Sequence, residues 1–351
     1  MQTFDEIIAE AVTRGASDIH LSPGRPPSCR IDGEIIGLGD SILMPNDIKS
    51  LADSLLQPHQ QEIYAQCGEV DFAYSVPSVG RFRVNVFLQR GSPAIVARIL
   101  NLLIPTPKEI GLPDAIVALT SKRRGLVLVT GATGSGKSTT LASLINVINT
   151  EYSGHIITLE DPIEYLHSHK KSIVNQREIG NDTKNYANAL RAALRQDPDV
   201  ILVGEMRDLE TISTAVTAAE TGHLVFSTLH TVGAANTIDR IIDVFPPYQQ
   251  QQIRTQLADV LEGVVSQQLL PKISGKGRVA AMEVMLANAA IRNNIREAKT
   301  FQIASAIQTS RKQGMITMDD AIYELYIKGE ISADSALLFA QDRLSLSKKI
   351  M

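Results

Sequence analysis

The chain has 351 residues, which predicts about two domains, and its 44% hydrophobic and 21% charged content is that of a folded globular protein. Its 34 basic and 38 acidic side chains give a formal net charge of −4, which argues against a direct nucleic-acid partner that would bind a concentrated basic face. The two cysteines are too few for a four-cysteine zinc site. Neither a signal peptide nor an apolar run long enough to cross a bilayer is found, so we expect a cytoplasmic protein.

The first hundred residues, 1–100, are predicted to form a small α+β domain. Apolar residues recur at helical spacing near the amino end, and Asp32 and Gly33 predict a hairpin turn between two strands. Strict alternation of apolar and polar residues predicts a strand at 81–87, and the segments 17–21, 28–31 and 94–100 are also interpreted as strands.

A proline cluster marks the domain boundary. Three prolines fall between residues 105 and 113, where they remove backbone donors and exclude a helix or a central strand. We therefore predict a hinge linker over 101–113 and a second domain over 114–351.

The second domain alternates short apolar strands with helices, which predicts a parallel sheet covered on both faces and hence an α/β fold. From about Tyr248 the pattern is interpreted as almost wholly helical, over about 248–351. The predicted strands are 126–130, 156–159, 200–203 and 224–228, and the predicted helices are 139–149, 186–196 and 209–220.

A glycine-rich loop follows the first of these strands and matches every fixed position of the phosphate-binding loop. Its glycines allow backbone N–H groups to surround phosphate oxygens at the amino end of the next helix. Lys137 is expected to reach the β- and γ-phosphates and the Ser138 hydroxyl to hold Mg²⁺, so the predicted ligands are ATP and Mg²⁺. The alternative is a strand-to-helix turn of no special purpose. The loop residues are Gly131, Ala132, Thr133, Gly134, Ser135, Gly136, Lys137 and Ser138.

Two carboxylates follow other strands of the predicted sheet. Glu205 ends the strand 200–203 and can orient or deprotonate an attacking water, because active sites of open α/β sheets lie at the carboxyl ends of strands. Its alternative is a surface ion pair with Arg207. Glu160 ends another strand beside Asp161, where the pair can bind Mg²⁺ or its waters. The alternative there is a helix cap and a solvated acid.

Histidines and arginines provide further candidates. His230 follows the strand 224–228 and His223 precedes it; either can contact the γ-phosphate or be a structural residue. In segment 81–87 Arg81 and Arg83 face away from the apolar side chains, and Arg98 lies near the end of the next strand. These arginines can supply positive charge to a neighbouring subunit's nucleotide, or simply form a solvated strand face.

Taken together, the motifs resemble those of the secretion-superfamily ATPases and, within them, the pilus retraction (twitching motility, PilT-type) motors. The similarity implies a PAS-like N-terminal domain, a RecA-like ATPase domain and a hexameric ring with ATP between subunits. It implies that Lys137 and Ser138 bind phosphate and Mg²⁺, that Thr139 extends the loop, and that Glu205 is the catalytic base. It also implies that Glu160 binds Mg²⁺ or water and that His223 and His230 contact the γ-phosphate. Finally, it implies contacts to the neighbouring subunit's nucleotide by Arg81, Arg83 and Arg98. The matching segments are 15–21, 80–85, 131–140, 157–164, 194–208 and 221–231.

The direction of work follows from a further box. Segment 290–297 resembles the Ala-Ile-Arg-Asn-Leu-Ile-Arg-Glu box of retraction ATPases, with Asn294 in place of leucine. An unpaired amide in an apolar position costs burial energy, so weakened docking of that helix is predicted. Extension and secretion ATPases that resemble this core usually carry a further N-terminal domain and a four-cysteine zinc module. We expect neither here, since both cysteines, Cys29 and Cys67, lie in the first domain, and this favours retraction.

We therefore expect a homohexameric ATP-driven motor for pilus retraction and twitching motility. It is expected to act at the inner face of the cytoplasmic membrane as a peripheral protein, with an inner-membrane platform protein and the pilus machinery as partners. The alternatives are an assembly or type II secretion ATPase of the same superfamily, a RecA-type nucleic-acid motor, and a non-catalytic accessory ring.

Overall fold

The computed structural model describes residues 2–31, 33–77, 79–100 and 103–350, which form two compact units. The first unit covers Met1–Leu103 and Pro162–Leu166, and the second covers Ile104–Asp161 and His167–Met351.

An antiparallel sheet of six strands forms the first unit together with three helices. The helices are α1 (Phe4–Thr13), α2 (Pro45–Leu55) and α3 (Pro58–Cys67), and the strands are β1 (Asp18–Leu21), β2 (Ser28–Ile31), β3 (Glu34–Gly37), β4 (Glu69–Val76), β5 (Gly80–Gln89) and β6 (Ser92–Leu100). The spatial order is β3-β2-β1-β6-β5-β4. Helix α1 begins at a capping box: Thr3 and Glu6 each accept a hydrogen bond from the other's backbone N–H.

The predicted alternation in β5 is confirmed. Phe82, Val84 and Val86 are fully buried in the core of the first unit, whereas Arg83 is exposed on the other face. A small α+β domain with an antiparallel sheet therefore forms as expected. Of the predicted hairpin turn, Asp32 lies outside the described residues.

Seven strands form the sheet of the second unit: β7 (Gly125–Thr130), β8 (His155–Glu160), β9 (Ile173–Glu178), β10 (Val200–Val203), β11 (Leu224–Leu229), β12 (Leu261–Pro271) and β13 (Arg278–Leu286). The spatial order is β13-β12-β7-β11-β10-β8-β9, and neighbours pair in parallel except that β13 runs antiparallel to β12. The helices are α4 (Asp114–Val117), α5 (Lys137–Glu151), α6 (Tyr186–Ala193), α7 (Leu209–Glu220), α8 (Ala234–Asp243), α9 (Pro247–Val260), α10 (Ala289–Arg296), α11 (Ile303–Thr309), α12 (Met318–Ile327), α13 (Ala333–Phe339) and α14 (Arg343–Ile350).

Helices cover both faces of this sheet, as the near-continuous apolar strands predict. Every residue of β7 and β11 is buried. One face packs against α6, α7, α8 and α9, and the other packs against α5. The carboxyl ends of β7, β11 and β10 consequently lie side by side at one edge of the sheet.

The segment over about 248–351, predicted to be almost wholly helical, ends in the five helices α10 to α14 as expected, but it also contains the strands β12 and β13. In this segment α9 is followed directly by the strand β12. That strand lies beside β7 in the sheet and is buried over most of its length. The β12 sequence mixes apolar residues with Ser266, Gln267 and Gln268, so it shows neither the alternation of a half-buried strand nor the continuous apolar run of a buried one. The strand β9 was missed as well.

The proline-rich linker contains neither helix nor strand between residues 103 and 113, as predicted. The Glu109 carboxylate accepts hydrogen bonds from the backbone N–H and the hydroxyl of Thr106, at 2.7 and 2.8 Å. The N–H of Leu112 donates to the carbonyl of Pro107 at 2.9 Å, which closes a turn. Residues 101 and 102 of the predicted linker lie outside the described part of the chain.

Candidate nucleotide site

The glycine-rich loop connects β7 to α5, in the strand–loop–helix context that its sequence predicts. Gly131, Gly134 and Gly136 have φ angles of 143°, 78° and 90°. Side chains with a Cβ rarely adopt such angles, so these positions favour glycine. The helix begins at Lys137 with Gly136 as its N-cap residue.

The Lys137 ammonium group lies against the loop. Its Nζ donates hydrogen bonds to the carbonyls of Gly131 and Ala132 at 2.8 and 3.0 Å, and the residue is only 9% exposed. A buried cation and the positive end of the α5 dipole therefore meet at one loop. The arrangement fits a nucleotide phosphate, because both the charge and the helix dipole favour an anion there.

Glu205, His230 and Thr133 form a chain of polar contacts. The Nε2 atom of His230 lies 3.3 Å from the Glu205 carboxylate, and its Nδ1 atom lies 3.4 Å from the Thr133 hydroxyl. The chain after β10 turns towards β11, where the N–H of Met206 donates to the carbonyl of Thr228 at 3.1 Å. His230 thereby links the phosphate loop to Glu205, and three separately predicted residues meet.

Arg207 also pairs with Glu205 through its Nε atom. The Arg207 side chain is 75% exposed, whereas that of Glu205 is 16% exposed. The surface pair that the sequence left open as an alternative is therefore present, and it coexists with the contact to His230 at the same carboxylate oxygen.

Glu205 borders two open clefts of the second unit. The first has a volume of about 610 Å³, and the second has a volume of about 410 Å³. Thr133, Glu205, Arg207, His230 and Arg240 line the first, and Asp161, Tyr186, Glu205, Arg207 and Asp208 line the second. A reactant in either cleft can therefore approach this carboxylate.

Tyr186 explains why glycine follows β10. A Cβ at Gly204 would lie 2.8 Å from the Tyr186 hydroxyl oxygen and 3.0 Å from the carbonyl of Leu159. Burial raises the pKa of Tyr186 above its usual value, and the negative charges of Asp161 and Glu205 raise it further. Sequence reasoning missed this residue, since a tyrosine at the start of a helix has no distinctive signal.

The structure does not bring His223 to the phosphate loop of its own subunit, and its contact with a γ-phosphate stays a prediction. His223 precedes β11, and its carbonyl accepts a hydrogen bond from Gly125 at the beginning of β7. The length of β11 separates it from the loop edge by about 20 Å, because a strand rises about 3.3 Å per residue. Its Nδ1 atom lies 2.9 Å from the carbonyl of Ala218, a structural contact.

Glu160 ends β8, and one of its carboxylate oxygens contacts β8 and the outer strand β9. It accepts hydrogen bonds from the Thr158 hydroxyl at 2.6 Å and from Gln176 of the outer strand β9 at 3.2 Å. The strand order places β8 three strands from β7, about 14 Å at the usual spacing between strands. Glu160 therefore lies next to the segment that carries Glu205, since a Cβ at Gly204 would lie 3.3 Å from the Glu160 Cα, but three strands from the phosphate loop.

Arg83 and Arg98 form ion pairs inside the first unit. Arg98 Nε lies 2.8 Å from an Asp18 carboxylate oxygen, and Arg83 Nε lies 3.6 Å from Asp71. Arg83 and Arg98 are cross-strand partners, and Arg81 lies on the same strand as Arg83. The arginines thus share one sheet region. Their side chains remain exposed by 50% at Arg83 and 68% at Arg98.

Asn294 does not prevent docking of its helix, so the prediction of weakened docking is wrong. Ile291 and Ile295 are fully buried, and Asn294 is only 9% exposed. The Arg292 guanidinium donates to the carbonyls of Ala258 and Asp259 at 2.5 and 2.8 Å. It thereby satisfies carbonyls at the end of α9 and holds α10 in place.

The fold and the loop together define a phosphate-loop nucleotide-binding protein with a mainly parallel sheet. A family model described as "Type II/IV secretion system protein" matches residues 108–327, and the chain belongs to this family. The resemblance seen in the sequence is thereby confirmed.

Individual relatives share nearly the whole chain. A Pseudomonas aeruginosa protein named "Type IV pilus retractation ATPase PilT" is 48% identical over 94% of this chain and 96% of its own length. A "Twitching motility protein" of Neisseria gonorrhoeae is 48% identical over 92% of this chain and 86% of its own length. A solved structure described as "Crystal Structure of the Pilus Retraction Motor PilT and Bound ADP" has a TM-score of 0.93 and 52% identity, covering 99% of this chain and 100% of that one.

None of the helices in the described ranges is long and apolar enough to cross a membrane.

Proposed function

We propose that this chain is an ATP-hydrolysing motor that drives the retraction of type IV pili. The observation that carries the proposal is that the phosphate loop, His230 and Glu205 are in contact. This contact occurs in a chain that is 48% identical, over 94% of its length, to a protein named as a pilus retractation ATPase. The docked helix α10, which carries the box resembling that of retraction ATPases, supports the same direction of work.

ATP would bind with its phosphates at the loop that begins α5. Backbone N–H groups of residues 131–139 and the Lys137 ammonium group would contact the phosphate oxygens, and Lys137 would exchange its contacts with the Gly131 and Ala132 carbonyls for them. The Ser138 hydroxyl would hold Mg²⁺, which neutralises charge on the phosphate oxygens when it is bound.

Hydrolysis would use Glu205 as the general base. The carboxylate would accept a proton from the attacking water, and His230 would hold it at a defined place relative to Thr133 of the phosphate loop. Mg²⁺ or water binding by Glu160 stays a prediction, since its carboxylate binds Gln176 on the far side of β8.

The motor would be a homohexameric ring. Arg81, Arg83 and Arg98 would reach the nucleotide of the next subunit, and the linker 101–113 would act as the hinge by which each first unit moves. If the Arg81→Ala and Arg98→Ala rings hydrolyse ATP at the wild-type rate, this part of the proposal is wrong. The ring would work as a peripheral protein at the inner face of the cytoplasmic membrane, with an inner-membrane platform protein and the pilus machinery as partners.

Phosphate release from ATP tests the enzymatic part. Purified protein should hydrolyse ATP with Mg²⁺, and both Lys137→Ala and Glu205→Gln should lower the rate by at least about 100-fold. The exposed Lys312 offers a matched control, because Lys312→Ala removes a positive charge far in sequence from the loop. Nucleotide binding without turnover would support the accessory ring instead, and stimulation of hydrolysis by DNA would support a nucleic-acid motor.

A deletion strain tests the direction of work. Loss of the gene should give excess pili without twitching motility, and a plasmid copy with Lys137→Ala should not restore motility whereas one with Lys312→Ala should. Loss of pili would identify an assembly ATPase and would contradict the retraction proposal.

A further inference from the structure

Gln267 on β12 is buried beside the phosphate loop, in a strand that the sequence did not predict. It is 3% exposed. Its Nε2 atom donates a hydrogen bond to the carbonyl of Ser135 at 2.7 Å, and its Oε1 atom accepts one from the Thr140 hydroxyl at 2.8 Å. One side chain therefore joins the loop to the first turn of α5.

The same residue is in close contact with two of the loop glycines. A Cβ at Gly131 would lie 2.3 Å from the Gln267 carbonyl oxygen, and a Cβ at Gly136 would lie 2.7 Å from its Nε2 atom. Real Cβ contacts are essentially never shorter than 3.0 Å. Gln267 thus borders the loop where it leaves β7 and again where α5 begins.

The hydrogen bond to Ser135 also sets the direction of the next backbone N–H. In a planar trans peptide the C=O and N–H groups point in opposite directions. Because the Ser135 carbonyl points to Gln267, the N–H of Gly136 points away from β12. A backbone anion site requires this orientation of the Ser135–Gly136 peptide: the carbonyl points towards Gln267, and the N–H points away from β12.

The neighbouring residue Ser266 supports the other side of the site. Its hydroxyl accepts a hydrogen bond from the N–H of Gly233 at 2.8 Å, directly before α8 and three residues after His230. Consecutive residues of β12 therefore hold both the phosphate loop and the segment that follows His230.

We propose that Gln267 is a positioning residue for phosphate binding. It keeps the Ser135–Gly136 peptide and the amino end of α5 in the orientation that receives phosphate oxygens, without touching the nucleotide itself. The inference rests on the part of the proposed function in which the loop binds nucleotide, and it does not depend on pilus retraction.

Titrations of the full chain with a fluorescent ADP analogue, and competition by unlabelled ADP and adenosine, test this role. Gln267→Met keeps the size of the side chain but removes both hydrogen bonds, and Gln267→Glu keeps the acceptor for Thr140 while placing an oxygen against the Ser135 carbonyl. Thr140→Val removes one bond only. Gln268→Met on the same strand is the matched control, since Gln268 is half-buried and points to the opposite face.

We expect Gln267→Met and Gln267→Glu to weaken ADP binding by about 10-fold or more, and Thr140→Val to weaken it less. Adenosine lacks phosphates, so its affinity should not change, and Gln268→Met should change neither affinity. A thermal unfolding midpoint for each variant shows that the loss is not one of folding. Wild-type ADP affinity in both Gln267 variants, or an equal loss for ADP and adenosine, would overturn the positioning role.

The two proposals fail in different ways. If Lys137→Ala binds the ADP analogue as tightly as the wild type, the loop is not the phosphate site, and the proposed function and the role of Gln267 both fall. If binding depends on Lys137 but not on Gln267, only the role of Gln267 falls. If binding of the ADP analogue depends on both residues but the protein does not retract pili, the role of Gln267 is supported and the proposed motor function is contradicted.

Discussion

Gly131→Ala should disrupt the phosphate site by displacing the junction between β7 and its loop. The added Cβ would lie 2.3 Å from the Gln267 carbonyl oxygen and 2.6 Å from the Ser135 hydroxyl oxygen. An ordinary contact begins near 3.4 Å, so the backbone must move by about 1 Å. Because the Gln267 oxygen belongs to the backbone of β12, no side-chain rotation relieves the overlap.

The cost of this change has two parts. Overpacking a close-packed site costs about 1–3 kcal/mol, and a φ angle of 143° adds about 1 kcal/mol for a residue with a Cβ. A displacement of about 1 Å at a reacting group lowers activity by about 100-fold. We therefore expect Gly131→Ala to lose about 2–4 kcal/mol of unfolding free energy and about 100-fold in the rate of ATP hydrolysis.

Gly180→Ala is the matched control. Gly180 has a φ angle of 89°, but a Cβ there would meet no atom within 4 Å. It should cost about 1 kcal/mol in a denaturant titration and leave nucleotide affinity unchanged. Equal losses of unfolding free energy and of the rate of ATP hydrolysis in the two variants would refute the packing argument, because strain at φ alone would then explain both.

Three further predictions address other contacts. Glu205→Gln should retain ATP binding in a filter assay while phosphate release falls by at least about 100-fold. Burial would raise the pKa of Asp18, but hydrogen bonds from Arg98 and Ser17 lower it below the usual 3.8. The ionised carboxylate therefore stabilises the fold above pH 3.8, and this stabilisation is lost as the pH falls through the lowered pKa. Asp18→Asn should lower the thermal unfolding midpoint at neutral pH and make that midpoint depend less on acid pH. Arg292→Ala should lower the unfolding free energy by about 2 kcal/mol in a denaturant titration, because two carbonyls at the end of α9 lose their hydrogen-bond donor. The exposed ion pair between Arg296 and Asp259 should contribute less than about 1 kcal/mol to the same quantity.

The parts of the site that sequence reasoning predicted are those with a local signal. The phosphate loop has glycines at fixed spacing, and Glu205 follows one glycine after a short apolar strand whose bounds, 200–203, match the structure. The contact between Glu205 and His230 required only that both end parallel strands, which meet at one edge of a sheet.

Strand order and strand direction decide which of the predicted residues lie near the phosphate loop. His223 precedes β11 and so belongs to the amino edge, which the same rule would have excluded from the site. Glu160 is at the carboxyl end of its strand, but β8 lies three strands from β7, and a single sequence does not reveal the order of strands. Residues at strand ends are therefore candidates whose distance from the loop depends on topology.

The strands missed by the sequence connect the site to the carboxyl-terminal helices. Glu283 on β13 is the cross-strand partner of Ser266, and its carboxylate accepts the N–H of Ala234 at 2.6 Å and the N–H of Met318 at 3.1 Å. These N–H groups begin α8 and α12, so one buried carboxylate joins the helix after His230 to the helices at the end of the chain. Ser266 lies next to Gln267 on β12, and a rearrangement of either helix would therefore act on the strand that holds the phosphate loop.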